Sequence, residues 1–280
     1  MRVAFLQDFF NNEIVGGAEQ NDSVLINYLK KQEEFDIVPV HTYDFEKIKQ
    51  FYDFYIISNF VNLSQNSKNF LIKNGNYLIY EHDHKYINTR DPSVFDRFQI
   101  PKKNIINYDF YKNAKKIFVL SNICKKIIEN TLKIDNVENI GCSLWSEEEL
   151  ETIKNLSLNS EKKYKFSVLH SSNLIKGTRE AIYYCETNNI RPQFIGNNDY
   201  EIFLKQLAES EHFIFLPQVL ETFSRVTAEA KMLNCKVITT PKMIGFFSED
   251  YSNLCGNILI ENIKLKISQA LPRFKSCILS

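Results

Sequence analysis

The stretch EHFIFLPQVLETFSRVTAEA, residues 211–230, decides the fold. A short apolar run, EHFIFLP, ends at Pro217, a loop follows, and an amphipathic pattern resumes near Phe223 or Ser224. Run, loop and helix in that order mark a strand buried on both faces that feeds a helix, as in a parallel sheet. Thr222 or Ser224 is the expected N-cap. Two glutamates, Glu221 and Glu229, flank the turn. At 1.5 Å rise per residue they stand about 12 Å apart along the axis. The unpaired amides of the first turn and the helix dipole between them favour an anion. That spacing suits a ligand with a diphosphate in its middle and a hydroxyl-bearing ring at each end. The plainer alternative is an acidic first turn with Glu229 solvated.

The same alternation runs outward through the chain. RVAFLQD (2–8), FDIVPVHT (35–42), FYIISN (54–59), NYLIYEHD (76–83), KKIFVLSN (115–122) and ENIGCS (138–143) read as strands. EQNDSVLINYLKKQ, SQNSKNFLIKNG and NICKKIIENTLK between them carry apolar residues at helical spacing. A second, smaller set follows: KFSVLHSS, RPQFIGN, EHFIFLPQ and KVITTP as strands, with TREAIYYCETN, YEIFLKQLAES and SRVTAEAKML as helices. The expected class is therefore α/β with parallel sheets. The charged stretch 145–165 separates the two sets, giving a first domain 1–145, a linker 146–164, a second domain 165–258 and a terminal helix 259–280 cut near Pro272. In such sheets ligands sit beyond the carboxyl ends of the strands.

Charge and composition narrow the function. Lys plus Arg equals Asp plus Glu at 34 each, so the surplus of positive charge that a nucleic-acid partner demands is missing. The six cysteines are scattered without a C-x-x-C pair, and no secretory leader precedes the first strand, so reduced thiols and a cytoplasmic location are expected. No apolar run reaches the length of a membrane span, although peripheral membrane contact stays open.

Three more loops carry candidate chemistry. FFNNEIVGGAEQ places Gly16-Gly17 before a helix, either an anion-binding turn or a plain cap; the G-x-G-x-x-G of dinucleotide enzymes is absent. In YEHDHKY, His82 and His84 on an extended segment would face one ligand with Asp83 turned away. Too few further ligands stand at metal spacing, so no metal is expected. VLHSSNLIKG ends a strand and supplies Lys176-Gly177, with Lys176 a point charge suited to a diphosphate. Gly196 after RPQFI is a candidate wall for a flat base.

In this order the pieces resemble the retaining, nucleotide-sugar-dependent glycosyltransferases of group 1, which have the GT-B fold. The most specific element is the Glu, seven residues, Glu motif matched by Glu221 and Glu229, joined by Lys176-Gly177 and His82-Asp83. The resemblance implies two Rossmann-like domains facing across a cleft, with a last helix that crosses back to the first. It implies a nucleoside diphosphate sugar as donor and a hydroxyl acceptor such as a glycan or lipid-linked sugar. Glu229 would bind the ribose and Glu221 the transferred sugar, while Lys176 and the segment Thr222, Phe223, Ser224 and Arg225 would hold the diphosphate. His170 and Ser171 would line the same phosphate site. Gly16 and Gly17 would lie near donor phosphate or acceptor, and His82 near the sugar; Glu221, His82 and Lys176 form the implied catalytic set. Three departures stand out. His170 replaces a second phosphate-binding arginine, Ser224 replaces a glycine, and the chain is short for the family at its C-terminal end. Either His170 or Arg225 would have to supply the missing positive charge. The rival readings are a sugar-nucleotide epimerase or phosphorylase on the same fold, and a non-catalytic carbohydrate- or nucleotide-binding relative.

Overall fold

A computed structural model describes residues 1–14, 16–47, 51–74, 76–196 and 199–280. The sequence stretches quoted above that reach Val15, Gly75 and Asn197 lie outside the described residues at those positions. The chain forms two units, Met1–Leu144 with Lys266–Ser280, and Trp145–Leu265.

In the first unit, β1 (Arg2–Gln7), α1 (Gly17–Lys30), β2 (Asp36–His41), β3 (Phe54–Ile57), α2 (Gln65–Asn74), β4 (Tyr77–Tyr80), α3 (Tyr108–Lys112), β5 (Ile117–Val119), α4 (Asn122–Leu132) and β6 (Val137–Asn139) follow in order, strand and helix alternating except between β2 and β3, which a 3-10 turn joins. All strand pairings are parallel, in the order β2-β1-β3-β4-β5-β6. The whole of β3 and β4 is buried, which explains why these strands read as unbroken apolar runs.

The second unit holds α5 (Glu147–Asn159), β7 (Tyr164–Leu169), α6 (Thr178–Thr187), β8 (Gln193–Ile195), α7 (Tyr200–Ala208), β9 (Ser210–Ile214), α8 (Arg225–Met232), β10 (Lys236–Ile238) and the start of α9 (Gly256–Leu279). Its parallel sheet runs β10-β9-β7-β8 over a core that includes Val168, Ala181, Cys185 and Ile214. Both sheets thus place their first strand between their second and third. This reversal of strand order opens a crevice beside the carboxyl end of the first strand. Two Rossmann-like units follow directly.

Two expectations are corrected. The charged stretch 146–164 is not a bare linker: most of it is α5, part of the second unit, started by a capping box in which Ser146 and Glu149 satisfy each other's backbone amides. Leu150 and Ile153 on its inner face are buried. The last helix is not cut at Pro272, which lies inside α9. A proline there removes one backbone donor and crowds the preceding turn. Burial of Ala270, Phe274 and Ile278 on both sides of it outweighs that loss. Phe274 packs its ring 5.0 Å from that of Tyr80 and 4.2 Å from that of Phe118, so the residues from Lys266 onward belong to the first unit.

Candidate functional site

In the second unit the loops after β7 and β9 leave from either side of the strand-order reversal. The β7 loop begins with exposed His170, whose N–H donates to Ile195 O at 2.7 Å. The N–H of Ser171 donates to Thr178 Oγ1 at 3.1 Å. After a short turn comes Gly177, at φ +69° and packed so tightly that a Cβ would run into the carbonyl oxygen of Leu216. Only glycine fits there. The N–H of Gln218 donates to Ile175 O at 2.8 Å, so the two loops are laced together. Lys176 is thereby carried onto the β9 loop, where its Nζ lies 2.9 Å from Glu221 Oε1. Two residues 45 positions apart, each singled out by type and setting, meet. The side chains keep 33% and 14% of their exposure, enough for a ligand to reach them.

Glu221 is held extended, its N–H donating to Met243 O at 2.9 Å and its carbonyl accepting from Gly245 N at 2.8 Å. Phe223 is buried and its carbonyl accepts from Phe246 N. The chain then turns at Ser224, φ +75° and ψ +85°, into α8. Of the two N-cap candidates Ser224 holds the position and Thr222 does not. Its side chain makes no capping bond and instead pairs with Thr227 Oγ1 at 2.9 Å. Ser224 thus adopts a left-handed conformation that glycine takes without strain. Gly196, exposed at the end of β8, backs onto His170, whose carbonyl oxygen would lie 2.6 Å from an added Cβ.

Glu229 is not a solvated helix residue, being 2% exposed. Its Oε1 accepts from Trp145 Nε1 at 3.0 Å and from the Tyr200 hydroxyl at 2.6 Å. Arg225 Nε stands 3.4 Å from the same oxygen, while Nη2 donates to Glu149 at 2.7 Å and to Tyr200 at 3.2 Å. The guanidinium carbon sits 4.6 Å over the Trp145 ring. Burial opposes charge on this arginine, yet Tyr200, Glu229 and Glu149 hold its proton well above the usual range. Burial, reinforced by Glu229, likewise pushes the Tyr200 hydroxyl well up. The expectation that the Arg225 side chain replaces the missing phosphate-binding arginine is therefore corrected, because its guanidinium is committed to two carboxylates. The sequence reading missed Trp145, Tyr200 and Glu149. The lone tryptophan beside an S-x-x-E capping signature was the available signal.

In the first unit Gly16 is the extended N-cap of α1 and Gly17 its first helical residue. The Glu19 carboxyl folds back against Gly16. Burial raises its pKa above the ordinary 4.5, helped by Asp22 and opposed by a backbone hydrogen bond, His82 and Lys85. His82 Nε2 lies 3.1 Å from Asp22 Oδ1, and Ser58 donates to the other Asp22 oxygen at 2.5 Å. The pairing of His82 with His84 on one ligand is corrected. The chain turns left-handed at His84, φ +60°, which breaks the alternation of an extended segment. His84 Nδ1 then meets the Tyr86 hydroxyl at 3.1 Å, and Asp83 pairs with Lys85 and Arg90. Asp8, also missed, accepts from the amides of Val61 and Asn62 at 2.7 and 3.1 Å and from the Thr42 hydroxyl, tying together the loops after β1, β2 and β3. Among the described residues no group of three or more His, Cys, Asp or Glu is placed to hold a metal ion, and no helix is long and apolar enough to cross a membrane.

No protein family model matches the chain, and no curated relative does. Solved structures do. HepE of Anabaena, crystallised with UDP and glucose, is similar at a TM-score of 0.59 and 13% identity over 99% of this chain and 100% of its own. The N-terminal domain of trehalose-6-phosphate phosphatase from Candida albicans is similar at 0.57 and 8% identity, covering 99% and 98%. The UDP-GlcNAc 2-epimerase of Methanocaldococcus jannaschii, with UDP-GlcNAc and UDP bound, is similar at 0.52 and 13% identity, covering 97% and 93%. At these identities the likeness establishes a shared fold of two Rossmann-like domains.

Proposed function

We propose that the chain is a retaining glycosyltransferase that moves a sugar from a nucleoside diphosphate sugar to a hydroxyl acceptor. The observation that carries this reading is the Lys176–Glu221 pair, assembled from two loops at the strand-order reversal and followed at once by the N-terminus of α8. UDP or UDP-sugars bound to HepE and to the 2-epimerase lend it support on the ligand side.

In this reading the second unit binds the donor and the first the acceptor. The bond that breaks joins the anomeric carbon to the terminal phosphate oxygen. Charge develops on the departing diphosphate, so catalysis needs fixed positive potential there. Lys176 supplies a full charge and the first amides of α8 supply dipoles. Glu221 accepts hydrogen bonds from the transferred sugar, whose ring turns cationic in the transition state. The acceptor hydroxyl attacks the face that the diphosphate leaves and gives its proton to the leaving phosphate oxygen, so configuration is retained. The absence of a D-x-D sequence leaves the diphosphate to Lys176 and the helix rather than to a divalent cation.

An epimerase on the same fold is the second reading, favoured by the M. jannaschii neighbour. A non-catalytic relative is the third, favoured by His170 at a phosphate position and by the strained Ser224. Incubation with a panel of nucleoside diphosphate sugars and hydroxyl acceptors, followed by proton NMR of the anomeric signals, separates them. An α-linked product from an α-linked donor supports transfer with retention. An isomerised donor, or no turnover, refutes it.

A further inference from the structure

Asp8 gathers the three loops that surround the strand-order reversal of the first unit. Its carboxylate accepts from the amides of Val61 and Asn62 and from the Thr42 hydroxyl, and its backbone carbonyl lies 3.2 Å from His41 Nδ1. The carboxylate is buried, so it fastens the loops and is itself withheld from solvent.

The loops so fastened carry aromatic rings that the core does not take up. Phe10 meets the His41 ring edge-on at 4.8 Å, and Tyr43 stacks on His41 at 4.8 Å with the planes 15° apart. Glu13 steadies the stack: one of its oxygens accepts from Phe10 N at 2.7 Å, and the other lies 3.5 Å from His41 Nε2. Tyr43 remains 58% exposed, Val61 49% and Phe9 42%. A single exposed apolar side chain is ordinary, but these stand on three loops tied to one carboxylate, at the place where an open parallel sheet takes its ligands.

The charge of the patch decides what it can hold. The stretches 8–14, 41–47 and 58–64 contain four acids, Asp8, Glu13, Asp44 and Glu46, and one lysine, Lys47, whose Nζ is 2.9 Å from Asp44. An anionic lipid surface attracts basic segments and is repelled by such an acidic one. A neutral sugar is not repelled: its ring offers a face of C–H bonds to an aromatic face and a rim of hydroxyls to the exposed amides of Asn12 and Asn62.

We propose that the Phe10–His41–Tyr43 stack, with Phe9 and Val61 on the same loops, is a platform for a neutral oligosaccharide, so that the hydroxyl acceptor is a glycan rather than a sugar carried on an anionic lipid. This deepens the transfer reading above and, in giving the bound glycan the role of acceptor, rests on it.

The test titrates maltohexaose, cellohexaose and chitohexaose into the full chain, Tyr43→Ala and Tyr43→Phe, followed by saturation-transfer NMR, with calorimetric titration of UDP into each protein alongside. Tyr43 is exposed, so its replacement leaves the core intact, and melting curves check this. Wild type is expected to bind at least one of the oligosaccharides. Tyr43→Ala is expected to lose about tenfold or more of that affinity, the weight of a tyrosine at the centre of an interface, whereas Tyr43→Phe, which keeps the ring face, stays within about threefold. UDP affinity should be the same in wild type and both variants. If wild type binds UDP but no oligosaccharide, if Tyr43→Ala binds the oligosaccharide as well as wild type, or if Tyr43→Phe loses as much as Tyr43→Ala, the platform is overturned and the donor reading stands. Co-sedimentation of wild type with vesicles of phosphatidylcholine and phosphatidylserine, abolished by Tyr43→Ala, would assign the patch to a membrane and overturn the platform likewise. Oligosaccharide binding by a protein that fails to bind UDP would uphold the platform and remove the transfer reading on which its acceptor role rests.

Discussion

Gly177→Ala tests whether the β7 loop is held by close backbone approach. The residue sits at φ +69°, and its Cβ would strike the Leu216 carbonyl, a backbone atom that a side-chain rotation cannot clear. A left-handed conformation costs a non-glycine residue about 1–2 kcal/mol. Forcing a methyl into filled space adds about 1–3 kcal/mol. Against this, reduced freedom of the unfolded chain returns about 0.4–1 kcal/mol. The net loss is about 3 kcal/mol, which at the usual urea dependence moves the midpoint down by about 1–3 M. Urea unfolding followed by Trp145 fluorescence reads the second unit directly. Gly16→Ala is the contrast: at φ −135° its Cβ would meet only the movable end of the Glu19 side chain, and a loss below about 1 kcal/mol is expected by circular dichroism. A midpoint for Gly177→Ala within about 0.3 M of wild type would refute the close-approach argument.

Arg225→Met should destabilise the second unit by about 3–5 kcal/mol, since Glu149 and Glu229 lose their buried counter-charge. Little loss of stability together with weakened diphosphate binding would return the guanidinium to the phosphate. Glu19 holds its proton more tightly folded than unfolded, so its contribution is fully present below the ordinary 4.5 and is lost as pH rises through the raised value. Glu19→Gln should therefore gain stability relative to wild type across that window and hold the gain above it; urea midpoints of the two proteins over a pH series give the difference, and a flat difference would contradict it.

The α/β class and the order of strands and helices were legible because each rests on local pattern, apolar runs and helical spacing. Lys176 and Glu221 were singled out one by one from their places after strand ends, but their contact across 45 positions was not legible. The rest depended on non-local packing. A proline reads as a helix end, yet α9 continues through Pro272 because residues on both sides of it find a core. Arg225 reads as a free cation near an anion site, but Glu149, 76 positions away, claims it. Alternation predicted one face for His82 and His84, and a single left-handed residue broke it. Asp8 and Asp22 carry no local signature, since their partners come from other loops of the sheet.

The central claim is that the second unit binds a nucleoside diphosphate through Lys176 at the mouth of α8. Its most direct test is calorimetric titration of UDP, in the presence of a chelator, into wild type and Lys176→Ala. The account predicts one site in wild type and an affinity lower by about 1.5–3 kcal/mol in the variant, which is a tenfold to roughly hundredfold loss. Equal affinity in a folded Lys176→Ala, or binding to wild type abolished by the chelator, would contradict it.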